Sequence, residues 1–133
     1  MESTQILTLG HNAEKSLESL LEELRKVKKL GYLHIFQYGM DSHPLKGSQE
    51  RFVRYLLAQA QISIKEFYGT VQRENGWHEY YANPGFTLKS INILVEQLSS
   101  INLDGDLTAV VTIVENISNN LHLFVSEFEK ITN

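Results

Sequence analysis

Apolar residues recur along this chain at alternating spacings of three and four, the mark of helices that bury one face. The longest such run lies near the carboxyl end. From Leu107, the positions Val110, Val114, Ile117, Leu121, Phe124, Phe128 and Ile131 step by 3, 4, 3, 4, 3, 4, 3. A mean step of about 3.5 residues is the period of helices packed side by side in bundles and coiled coils. A second run behaves alike: Val53, Leu57, Ala60, Ile64, Phe67 and Val71 step by 4, 3, 4, 3, 4, with Phe52, Leu56 and Tyr68 widening the stripe. These runs predict helices over about 48–74 and 106–131, and the strictness of their period predicts that the two form the core pair.

Two shorter stripes flank them. Over about 12–30, Leu17, Leu20, Leu21, Leu24, Val27 and Leu30 share a face, and Glu14, Glu18, Glu22 and Glu23 precede Arg25, Lys26, Lys28 and Lys29. Acid early and base late suits the helix dipole, and Gly31 reads as the stop. Over about 87–100, Thr87 can cap a helix that turns Leu88, Ile91, Leu94, Val95 and Leu98 inward. The rest reads as connections. Residues 1–10 are expected to be flexible or extended, and 32–38 (YLHIFQY) to form a short strand or a short extra helix. Residues 39–47 read as a loop, with Pro44 opening the next helix behind a Ser42 or His43 cap. Asn75-Gly76 ends the second long helix, and Asn102 to Asp106 reads as a turn with Gly105 and two acidic cap candidates.

Four amphipathic stripes can bury their faces only against one another. The expectation is one all-α domain over 1–133, an up-and-down four-helix bundle. The last helix would span roughly 39 Å at 1.5 Å per residue. A first helix over 12–30 and a third over 87–100 are too short to cover all of it. Pairing with a second copy of the chain, as a homodimer, would bury the remainder.

Composition narrows the function classes. The net charge of −4 argues against a general nucleic-acid binder, which wants a basic surface for phosphates. With no cysteine there is no disulfide framework and no thiolate metal site. No stretch approaches the roughly 18 to 20 apolar residues of a membrane span, and Met1 to Gly10 lacks the basic flank and apolar run of a signal peptide. These features point to a cytoplasmic protein without a membrane partner.

Candidate chemistry is sparse. The string His43-Pro44-Leu45-Lys46-Gly47-Ser48 resembles the signature of histidine phosphotransfer domains, in which a phosphorylated His is followed by any residue and then Leu-Lys-Gly-Ser. The resemblance implies a His43 carried on a helix as phosphoryl acceptor, with Lys46 balancing its charge. The plain alternative is a capped junction from loop to helix. Arg73 and His78, four residues between them, resemble the Arg–His pair of HEPN ribonucleases, helical proteins in which both act on the RNA phosphodiester. Here the plain alternative is a solvated Arg at a helix end and a loop His.

A di-metal bundle site would use Glu-x-x-His on facing helices. That motif is missing, as are His-x-x-x-His and His-Glu-x-x-His, so neither a metal site nor a cofactor is expected. The remaining feature is Trp77, His78, Tyr80, Tyr81 and Phe86, an aromatic connection suited to a binding hot spot or to capping the core. The leading expectation is a non-catalytic helical interaction or regulatory protein that binds a protein partner.

Overall fold

A computed structural model describes residues 3–38, 47–73 and 88–132 of the chain. They form four α-helices and, among the described residues, no strand: α1 (Ser3–Tyr38), α2 (Gly47–Arg73), α3 (Leu88–Ser99) and α4 (Leu107–Thr132). The two periodic runs become α2 and α4 at close to the expected bounds. All six seam positions of α2 are buried, as are the seven of α4 from Leu107 to Phe128.

The first helix departs most from expectation. It begins at Ser3 and continues through Gly31 to Tyr38. The expected flexible or extended 1–10 is corrected, because residues 3–10 are its opening turns. The expected separate strand or helix at 32–38 is corrected too, because those residues are its last turns. The physical reason for the early start lies in a seam that passes through two small residues. Ile6, Gly10, Ala13, Leu17, Leu20, Leu24 and Val27 are all buried, and they step by 4, 3, 4, 3, 4, 3. Gly10 and Ala13 carry too little side chain to read as apolar positions, yet they hold the register. A Cβ on Gly10 would lie 3.0 Å from Val125 Cγ2 and 3.1 Å from Phe67 Cε1. Glycine therefore lets α1 approach α2 and α4 more closely than any other residue would. At Gly31 the propensity cost of about 1 kcal/mol does not end a helix of 36 residues.

The run Arg25, Lys26, Lys28, Lys29 thus lies within α1 and not at a helix end. Arg25 Nη2 stands 3.8 Å from Glu115 on α4, and Lys26 Nζ stands 3.7 Å from both Glu22 and Glu23. At 36 residues α1 spans about 54 Å, whereas the 12-residue α3 spans about 18 Å. The helix too short for its neighbours is α3, not α1.

Each helix packs on two others: α1 on α2 and α4, and α3 on the same pair. Cross-helix contacts give the directions. On α1 and α4, His11 meets Glu129 while Arg25 meets Glu115; on α1 and α2, Gly10 faces Phe67 while Ser16 Oγ lies 3.0 Å from Ser63 Oγ. Both pairs run antiparallel. Between α2 and α4, Phe67 and Phe124 meet edge to face with ring centres 5.9 Å apart, a favoured aromatic geometry. The expected core pair is therefore corrected: α2 and α4 lie diagonally and touch at Phe67 and Phe124, whereas α1 packs alongside both. Among the described residues no helix is long and apolar enough to cross a membrane.

The turn from α3 to α4 is held by side chains. Asn102 Oδ1 accepts from the Asp104 amide (3.0 Å), and Asp106 Oδ1 accepts from the Thr108 amide (3.0 Å) as the N-cap of α4. Gln61 of α2 donates to the Leu98 carbonyl (3.1 Å), which satisfies an acceptor that the end of α3 leaves open.

Candidate functional site

Most residues singled out from the sequence fall outside the described ones. His43 and Lys46 do, as do Trp77, His78, Tyr80, Tyr81 and Phe86. Of the phosphotransfer-like string, Gly47 and Ser48 are described, and Gly47 has φ of +60°. That left-handed conformation, which glycine adopts without strain, stands at the first residue of α2. Arg73 closes α2 as an exposed side chain, and its Nη2 donates to Thr70 Oγ1 at 3.1 Å. It thereby satisfies the one buried polar residue found among the described ones, Thr70.

Two features that the sequence did not announce take their place. The first is a polar cluster where the opening turns of α1 cross the closing turns of α4. Glu14 lies between two histidines: its Oε2 accepts from His122 Nδ1 at 3.0 Å, and its Oε1 stands 3.6 Å from His11 Nδ1. The other nitrogen of His11, Nε2, is 2.6 Å from Glu129 Oε1 on α4. The imidazoles are exposed, but the Glu14 side chain is only 13% exposed. Its buried Oε1 has no hydrogen-bond partner. The hydrogen bond to Glu14 holds the His122 imidazole above its ordinary pKa of 6.5, helped by the charges of Glu14, Glu129 and Glu18 and opposed by slight desolvation. Glu14, Glu18, Ser118, Asn119, His122 and Leu123 line a shallow groove of about 470 Å³ beside it.

The second feature is apolar. Ile93 on α3 and Ile113 and Leu123 on α4 are 45%, 40% and 53% exposed, large values for side chains of this kind. Ile93 stands at the junction of two grooves between these helices. One, about 360 Å³, has Ile91, Leu94, Leu123 and Phe124 in its walls; the other, about 550 Å³, has Ile101, Ala109, Val110 and Ile113. No Lys or Arg lines either groove, and Glu96 and Asp106 stand at the second. The sequence held a partial signal for this face. Ile93 and Ile113 lie off the periodic seams of their helices, where a soluble protein normally places polar residues.

Among the described residues no group of three or more His, Asp or Glu could hold a metal ion. No family model, no curated protein and no solved structure matches the chain.

Proposed function

We propose that this chain is a non-catalytic helical interaction protein that self-associates through the outer face of α3 and α4. The observation that carries the reading is the exposure of Ile93, Ile113 and Leu123 around two adjoining apolar grooves. Contiguous apolar surface of this kind on a small domain marks a place for another protein. The short α3 supports the same reading, since it shields less of α4 than α1 does on the other side. A second copy offers the same face, and a two-fold contact would set Ile93 and Leu123 of each chain against the other's groove.

Light scattering coupled to size-exclusion chromatography at micromolar concentration tests this. The chain should elute at twice its own mass. Ile93→Glu with Leu123→Glu should elute as a monomer with the same helical circular dichroism, because neither side chain is part of the buried core. A wild-type chain that stays monomeric throughout that range would remove self-association from the reading.

A further inference from the structure

The polar cluster between α1 and α4 suggests a device independent of self-association. We propose that His11, Glu14, His122 and Glu129 form a protonation-controlled clasp, which ties the amino-terminal turns of α1 to α4 below neutral pH and slackens above it.

Three contacts between charged or chargeable groups are concentrated there, at 2.6, 3.0 and 3.6 Å, and two of them join residues 108 or more positions apart. His11 faces a carboxylate oxygen at each ring nitrogen. A neutral imidazole brings no charge to either carboxylate, whereas an imidazolium pairs with Glu129 at 2.6 Å and draws on the charge of Glu14 at 3.6 Å. The groups facing His122 are Glu14 and Glu18 from α1 and Glu129 from its own helix. Those facing His11 are Glu14 on its own helix and Glu129 from α4. All of them are acids, so an imidazolium at either position faces opposite charge.

Exposed ion pairs contribute little, and the histidines alone would make a weak tie. Glu14 changes that. Its carboxylate is largely buried with one oxygen unpartnered, so the imidazolium charges are what offset its desolvation. A histidine whose folded pKa is raised adds stability that is fully present below 6.5 and is lost as the pH rises through the folded value.

The test is thermal unfolding of the full chain from pH 5.5 to 8.5 in low salt, beside His11→Gln/His122→Gln and Glu14→Gln. Three other histidines are common to the wild type and the variants, so the difference between the profiles isolates the clasp. The wild type should take up a larger fraction of a proton on folding near neutrality than either variant. Its Tm should converge on theirs toward pH 8.5. Should the double variant fail to fold, Glu14→Gln keeps the carboxylate's shape and still removes its charge. In that variant the His122 imidazole resonances should titrate at a lower pH than in the wild type. Parallel Tm profiles in wild type and variants, or an unmoved His122 titration, would overturn the proposal.

Discussion

Gly10 and Gly69 both lie inside helices, yet their surroundings differ in kind. A Cβ at Gly10 would press on Val125 and Phe67, both locked in the core. A Cβ at Gly69 would meet only the end of the flexible Arg73 side chain, at 3.7 Å. Alanine is the better helix former at either site by about 1 kcal/mol. At Gly69 that gain should appear almost whole, as a rise of about 0.5 to 1 kcal/mol in unfolding free energy. At Gly10 overpacking of about 1 to 3 kcal/mol outweighs it, so Gly10→Ala should destabilise. Urea denaturation of the two variants decides the matter, and a stabilised Gly10→Ala would mean that the helices are less tightly apposed there. The same residue explains why the start of α1 was illegible. Hydrophobic periodicity counts large apolar side chains, and a seam that continues through Gly10 and Ala13 shows none at those positions.

At the scale of elements, α2 and α4 were legible almost to the residue because each carries an unbroken run of large apolar side chains with polar residues between. The turn at 102–106 was legible for another reason, since Asn, Asp and Gly each have a local backbone role there. Of the two cap candidates, Asp106 takes the capping hydrogen bond, while Asp104 instead accepts from Arg54 Nη2 at 2.8 Å. Asp106→Ala should therefore cost about 1 kcal/mol, and Asp106→Asn much less, since the amide oxygen still accepts. Asp104→Ala loses an exposed ion pair only and should leave the urea midpoint nearly unchanged. Equal losses at both positions would show that the turn, and not the cap, sets the stability of α4. The end of α1 was misread because Gly31, with four basic residues before it, looks locally like a helix stop. Local signals at a helix end are worth about 1 kcal/mol each, and they give way where the chain continues as helix.

At the scale of the whole molecule, the candidate site was out of reach of the sequence. Glu14 and His122 are 108 residues apart, and nothing in their own neighbourhoods marks them as partners. They meet because α1 and α4 run antiparallel side by side, so the earliest turns of one helix cross the latest turns of the other. That adjacency also bears on how the chain is made. On the ribosome, α1 and α2 emerge first and can cover part of each other, but the flank of α1 that belongs to α4 has no cover until α4 follows. At 5 to 20 residues per second, the roughly 100 residues after Val27 take about 5 to 20 s to appear. For that interval the side of α1 that packs on α4, Gly10 against Val125 among it, lies uncovered, a window in which chaperone binding or aggregation competes with folding. A chain stopped at Asp106 would hold that window open permanently. It is expected to pellet on centrifugation where the full chain stays in solution, and a monodisperse helical fragment would show that α1 to α3 close on their own.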